Sequence, residues 1–547
     1  MERSSIPEES FLAALRGGLP QILPEFLMHR RWFGGKARGI RSVKVSDIVP
    51  VCRQALQCYL ILVQVSYDSG AAETYDIPLV RIPPARVPGG VPPTIFDQAS
   101  VLKLRHEKFS EDIVLGDALS DDQFLSGLLD AIAQGASFRG ARGEVRAVPT
   151  NALAALWQPA QGALRPSLMK AEQSNSSVVY GKRLVLKIFR RVEEGINPDL
   201  EIGLFLTEQS PFRNVPPVAG HLEYVSKEGA RTSLGALQGY VANQGDAWQF
   251  TLRALTEYYE KGQQGRLLAA NEIPRDPILA LCDQAIPDAA RLRIGPYLES
   301  AALLGRRTAE LHMALASARQ DPAFTPQRWS DAEQQTFVSS AMDLLTANFG
   351  LLRRLKNEMP NHMREEADKV LSLESTARQR FQLFSRLSVS AIITRIHGDY
   401  HLGQVLFTGS DFVIIDFEGE PARSLEERRK KRSPLQDAAG MLRSFHYAAY
   451  APLLQQAAAP GPDERLWVLR PWAYYWQRWV SATFLKTYLE VSRDSQFIPH
   501  SREELTLLLD AYLLDKAVYE LGYDLNNRPS WVRIPLEGIS QLLLDPV

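Results

Sequence analysis

Hydrophobic and polar positions change period along the chain, and each change marks a new region. Ser10–Leu19 and Ile22–His29 carry apolar residues at helical spacing, broken by Gly17-Gly18 and Pro20, which predicts two short helices. Val43–Val49, Leu56–Ser66 and Thr74–Ile82 read as strands separated by turns, which predicts a small antiparallel sheet. Pro83–Pro93 is rich in Pro and Gly and reads as a loop. Asp117–Gly135 returns to helical spacing through Phe124, Leu128 and Ile132. Strands resume after Glu144: Val178–Tyr180 and Leu184–Phe189 flank a turn at Gly181-Lys182, and Ser233–Ala242 is a further strand. Beyond Gln244 the pattern is mostly helical. Asp246 is placed to cap a helix start, Leu304, Leu311 and Leu315 share a buried face, and His312 lies off that stripe as a structural residue. Ala341–Leu387 continues in helical period, and Glu503–Asn527 forms a long last helix that stops before Pro529. The divisions fall at 1–135, 136–243 and 244–547.

Chemistry concentrates in Ile392–Pro421. Two apolar runs, Ile392–Ile396 and Val405–Phe407, flank His397-Gly398-Asp399. A turn at Gly409-Ser410-Asp411 leads to the strand Phe412–Ile415, which ends in Asp416-Phe417-Glu418-Gly419-Glu420. Asp399 is followed at +5 by Gln404 and at +17 by Asp416. Kinase-type phosphoryl transfer uses this set: one carboxylate to orient or deprotonate the attacking hydroxyl, and separate oxygen ligands to hold Mg²⁺ against the phosphates. Glu418 is a further metal-side candidate. His397 and His401 are four apart, the helical spacing of a zinc pair, but no Glu lies between them and Gly398 argues against a helix.

Other segments fit the same chemistry. Ser174-Asn175-Ser176-Ser177 precedes the strand pair, where hydroxyls and backbone N–H groups can donate to phosphate oxygens, although no G-x-G-x-x-G is present. Lys187, inside an apolar strand, is the candidate to neutralise the α/β-phosphates, with Glu201 as its partner and Glu208 as runner-up. The backbone near Gln238–Val241 is the expected adenine contact. In the last helix Lys516, Glu520, Tyr523 and Asn527 share one polar face, with Tyr519 beside them, offering donors, acceptors and aromatic surface to a sugar. Arg30–Lys36 reads as a surface turn with an aromatic anchor, and the charge run Glu426–Arg432 as solvated loop.

The motif H-G-D-x-H-L-G-Q followed by D-F-E-G-E-P resembles the maltokinase family, as do Q-S-N-S-S, the R-W-F-G-G-K-A-R segment with its sheet, and D-K-A-V-Y-E-x-x-Y-x-x-x-N-R-P near the end. Gln404, in place of the Asn usual in kinase-like enzymes, agrees with that family. The resemblance implies an α+β, two-lobed protein-kinase-like fold with an N-terminal antiparallel-sheet cap domain. It implies ATP and Mg²⁺, with maltose phosphorylated to maltose 1-phosphate for α-glucan (glycogen) synthesis. It also implies association with, or fusion to, trehalose synthase, and gives Asp437 a bracing role for the catalytic loop. Alternatives are a kinase of an aminoglycoside, choline or another sugar, or a non-catalytic kinase-like binding module.

The totals narrow the classes. A chain of 547 residues has room for two or three domains. A formal charge of −1 gives no field for nucleic acid. Three cysteines without metal or redox spacing suit a reducing cytoplasm. The acidic N-terminus, broken by Pro7, is no signal peptide, and no apolar run is long enough for a membrane span.

Overall fold

The computed structural model describes residues 8–52, 57–82, 101–105, 112–158, 162–169, 175–264, 268–269, 271–387, 389–455 and 469–544. The expected loop Pro83–Pro93 and Ser174 lie outside these residues. The chain divides into two compact units, Met1–Gln209 with Pro216–Ala242, and Ser210–Val215 with Asn243–Val547.

The first unit is built on two antiparallel sheets. Strands β1 (Ile40–Cys52), β2 (Cys58–Tyr67), β3 (Glu73–Arg81), β4 (Val101–Leu104) and β5 (Ile113–Asp117) run in the order β1-β2-β3-β5-β4. A helix at Asp122–Gln134 follows; the Asp121 carboxylate caps it by accepting from the Gln123 and Phe124 N–H groups. The second sheet has the order β6-β7-β12-β13-β10-β9-β8. Its strands are β6 (Ser137–Arg139), β7 (Gly143–Pro149), β8 (Pro166–Leu168), β9 (Asn175–Tyr180), β10 (Leu184–Phe189), β12 (Val218–Ser226) and β13 (Arg231–Gly239). The short β11 (Arg191–Val192) leaves β10 and pairs with β3, so the chain that carries Lys187 passes directly into the first sheet. A single apolar cluster takes Val49, Leu60 and Val80 from the first sheet and Val178, Leu186 and Leu237 from the second, with Phe124 and Leu128 of the helix among them.

Three expectations change here. Residues 8–28 form one helix, Glu8–Met28, that runs through Pro20 and Pro24. Phe11, Leu15, Leu19, Leu23 and Leu27 are buried along one face. At roughly 1.5–3 kcal/mol per buried side chain that row outweighs the roughly 3 kcal/mol of an interior proline. The helical expectation for Asp117–Gly135 holds only from Asp122, because Ile113–Asp117 completes a strand. Asn175–Ser177 are not a loop: they belong to β9 and pair with Phe189, Ile188 and Lys187.

The second unit is mainly helical. Its principal helices are Ala247–Gln264, Tyr297–Leu315, Asp331–Leu355, Leu435–Gln455, Arg470–Ser492 and Arg502–Asn527. Trp476, Phe484, Tyr488, Leu508 and Leu521 are among their fully buried side chains. The hairpin Val405–Phe407/Phe412–Ile414 stands as expected, closed by Thr408 and Asp411. Of the Ile392–Ile396 run only Ile392–Ile393 is strand, and it pairs with Gln327–Arg328. No helix among the described residues is long and apolar enough to cross a membrane.

Candidate active site

In the first unit Lys187 faces Ser177 on one side and Ala236 on the other. Its Nζ lies 3.2 Å from the Asp199 carboxylate, with both side chains largely buried. Asp199 is the second residue of the helix Pro198–Glu208, whose cap is the Asn197 side chain accepting from the Asp199 N–H, with Pro198 at the first position. Sequence reasoning missed Asp199. Asn197-Pro198-Asp199 is a helix-start signature, and the carboxylate there is two positions before Glu201, the partner named from the sequence. Glu201 is buried in the same helix. Ser177 and Asn175 are also buried, and Ser176 Oγ accepts from Arg190 Nε at 2.9 Å. Along one side these residues are paired with β10.

In the second unit the His397-Gly398-Asp399 turn is held from behind. Asp437, 2 % exposed, accepts from the N–H groups of His397 (2.8 Å) and Gly398 (2.9 Å). His312 Nε2 reaches the same carboxylate at 3.0 Å, and its Nδ1 meets Tyr488 Oη at 3.0 Å. Gly398 has φ +84°, a left-handed conformation that favours glycine. His397 cannot serve a metal: Nε2 donates to the Ile415 carbonyl at 2.9 Å, and Nδ1 accepts from the Asp399 N–H at 3.3 Å. His401 Nδ1 accepts from the Gly403 N–H. The zinc-pair alternative ends on these bonds.

Gln404 closes a short 3₁₀ turn, and its carbonyl accepts from the Ile415 N–H, which ties it to the strand leading into Asp416. Asp416 has φ +66°, an uncommon conformation for a residue other than glycine and one that recurs where a side chain is held for function. The Glu418 carbonyl accepts from Arg428. Gln404, Asp416 and Glu418 offer oxygen donors only, a set that suits Mg²⁺. The described thiols, Cys58 and Cys282, are buried and belong to none of these turns.

The last helix contributes Lys516. Its Nζ lies 3.3 Å from Asp399 Oδ1 and 3.2 Å from Glu420 Oε1, and 4.8 Å from the Tyr519 ring centroid. Burial pushes the Asp399 pKa up, but Lys516, then His401 and His397, more than reverse this and hold it below the usual carboxylate value. Burial pushes the His401 pKa down, against the pull of Asp399. The other stripe residues are engaged differently. Glu520 accepts two bonds from Arg443 (2.9 and 2.7 Å), and Tyr523 is 45 % exposed beneath the Arg528 guanidinium.

Asp399, Lys516, Glu420, Asp515, Tyr512 and Tyr519 line one recess. The last four also line a cleft of about 720 Å³ that continues to Trp329, Phe337, Arg395 and the run Arg429–Arg432. The charge run read as solvated loop therefore forms a wall of the cleft. Trp329 lies parallel to Tyr512, ring centroids 6.5 Å apart. Nothing in the sequence ties Trp329 to Asp399, because only the fold brings them to one cleft.

Residues 26–121 match the family model of the maltokinase N-terminal cap domain, so the resemblance read from the sequence holds at the cap. A glucosamine kinase of Mycolicibacterium smegmatis is 24% identical over 373 residues, 68% of this chain and 78% of that protein. A glucosamine kinase of Streptacidiphilus jiangxiensis is 23% identical over 266 residues, 48% of this chain and 54% of that protein. Among solved structures, a glucosamine kinase in complex with glucosamine, ADP and inorganic phosphate superposes with a TM-score of 0.60 at 16% identity, covering 95% of this chain and 96% of its own. A second crystal form of a glucosamine kinase gives 0.62 over 97% of this chain and 99% of its own, also at 16% identity. The chain thus has the α+β, kinase-like fold with an N-terminal sheet cap.

Proposed function

We propose that this protein is an ATP-dependent sugar kinase and that its acceptor is maltose, phosphorylated at the anomeric hydroxyl to maltose 1-phosphate. The observation that carries the reading is Asp399, braced by Asp437 and held ionised by Lys516, in a recess that shares Glu420, Asp515, Tyr512 and Tyr519 with a cleft of about 720 Å³. That volume lies within the roughly 300–1,000 Å³ of ligand pockets and leaves room for a second sugar ring, with Trp329, Phe337 and Tyr512 as apolar faces. The maltokinase-type cap supports the same acceptor. In this reading Asp399 takes the hydroxyl proton, and Gln404, Asp416 and Glu418 hold Mg²⁺. Lys187, with Asp199 or Glu201, and the Asn175–Ser177 strand serve the ATP phosphates. Mg²⁺ supplies charge neutralisation on the transferring group. A role beside trehalose synthase in glycogen formation, in the cytoplasm, follows from the resemblance.

Glucosamine is the second reading, favoured by the names of the two relatives and by Glu420 and Asp515 in the recess, where a protonated amine would find carboxylates. ATP consumption against maltose, glucosamine, glucose, choline and an aminoglycoside tests both. Maltose should give the highest kcat/KM. A glucosamine preference overturns the acceptor, and no turnover with any member overturns the kinase.

A further inference from the structure

Phosphoryl transfer places negative charge on the equatorial oxygens of the moving group, and a preorganised cation beside that group lowers the barrier. The catalytic turn His397–Gln404 contains no Lys or Arg. The cation at Asp399 comes instead from a helix more than a hundred residues later. Lys516 approaches to 3.3 Å with its side chain 23 % exposed, in the recess that Asp399 lines. An ammonium has three N–H donors. Two are directed to Asp399 and Glu420, which fix the nitrogen in place and leave one for a ligand oxygen. Glu420 is 6 % exposed and is itself anchored by Arg423, so the clamp on Lys516 is rigid.

We infer that Lys516 is a catalytic residue of phosphoryl transfer, contacting the transferring phosphoryl group, and not a sugar-binding residue of a helix-surface stripe. The assignment rests on the kinase reading above. In the step itself the acceptor hydroxyl gives its proton to Asp399 and an oxygen lone pair forms the new P–O bond. The bond from the γ-phosphorus to the bridging oxygen breaks, and its electron pair leaves on ADP. Lys516 keeps Asp399 in the carboxylate form that the first event requires, and its remaining N–H meets the charge that develops in the second. Tyr519, under the ammonium, holds the lysine stem.

Kinetics of Lys516→Met and Lys516→Arg decide this, with thermal melting to confirm that each variant is folded. Lys516→Met should lose about 10²–10³ in kcat, the loss typical when one electrostatic stabiliser is removed, with KM for sugar and for ATP within about threefold of the parent. Lys516→Arg should recover part of the loss. A raised sugar KM with kcat retained, or no change in either, overturns the proposal. The slow hydrolysis of ATP without sugar separates this test from the choice of acceptor, because water replaces the hydroxyl and the phosphoryl group is the same. It should fall in Lys516→Met, and unchanged hydrolysis overturns the assignment even if no sugar is ever accepted. Should Lys516→Met fail to fold, Lys516→Gln gives the same readings.

Discussion

At the scale of single residues, the carboxyl of Asp399 is ionised against its own burial, and the groups responsible lie on two segments: Lys516 on the last helix, and His401 and His397 on its own turn. Glu420, on the loop after Asp416, holds Lys516 in place. Two outcomes follow. Asp399→Asn removes the proton acceptor and leaves the nucleotide-side residues untouched, so kcat should fall about 10²–10⁴-fold with ATP affinity within a few-fold of the parent. A variant that keeps most of its turnover would take Asp399 out of the mechanism. Because its pKa is lowered, the acid limb of kcat should lie below the ordinary Asp value of about 3.9. Turnover should therefore be flat as pH falls from 8 to about 5, and in Lys516→Arg the limb should stay low. In Lys516→Met it should move upward, which a pH–rate profile reads directly. Metal dependence belongs to the same scale. The donors at Gln404, Asp416 and Glu418 are oxygens, and both ring nitrogens of His397 and Nδ1 of His401 are engaged by backbone groups. EDTA should abolish activity and Mg²⁺ restore it, whereas recovery with zinc alone would refute the oxygen-donor assignment. These local features were legible in the sequence because they are contiguous: H-G-D, the amide at +5 and the Asp at +17 sit on one turn and one hairpin. Asp199 was not, since its claim on Lys187 exists only once the helix that carries it is folded against the second sheet.

At the scale of elements, the last helix shows what periodicity can and cannot give. Its extent was readable from 3.6-residue spacing and the following Pro529, and the structure has it at Arg502–Asn527. The common face of Lys516, Glu520 and Tyr523 was readable too, but not what each residue meets. Lys516 turns to Asp399, while Glu520 turns to Arg443, whose side chain is 4 % exposed. Glu520→Ala would leave that guanidinium buried and unpaired. The expected result is a stability loss of about 3–5 kcal/mol, seen as a large drop in Tm, with sugar KM little changed in the protein that remains folded. A rise in sugar KM at unchanged Tm would return Glu520 to the sugar site. The same limit explains the N-terminal helix. Gly17-Gly18 and Pro20 are real breakers, yet the buried row from Phe11 to Leu27 carries the helix across them once a partner surface exists.

At the scale of the first unit, a sheet read as a cap and a sheet read as a nucleotide-binding lobe share one apolar core, and buried polar groups cross between their segments. Asp47, 1 % exposed on β1, accepts from the N–H groups of Ala141 (3.1 Å) and Arg142 (2.9 Å) before β7, and from Tyr224 Oη of β12 at 3.0 Å. Tyr180 of β9 donates to the Leu125 carbonyl at 2.8 Å. Arg190 leaves Ser176 with one nitrogen and approaches Asp117 with another, its guanidinium 4.8 Å from the Trp32 ring centroid. Linear sequence could mark the composition change near Glu144, but a shared core is a property of packing and has no local signature. Asp47→Ala tests the consequence. It strands three backbone N–H groups, those of Ile48, Ala141 and Arg142, and a tyrosine hydroxyl, at about 1–3 kcal/mol for each group left buried without a partner. If the two sheets unfold as one cooperative unit, hydrogen exchange should speed up together in β1–β3 and in β7 and β12, and nucleotide affinity should weaken with it. Faster exchange confined to β1–β3, with β7 and β12 fully protected, would show instead that the cap opens on its own.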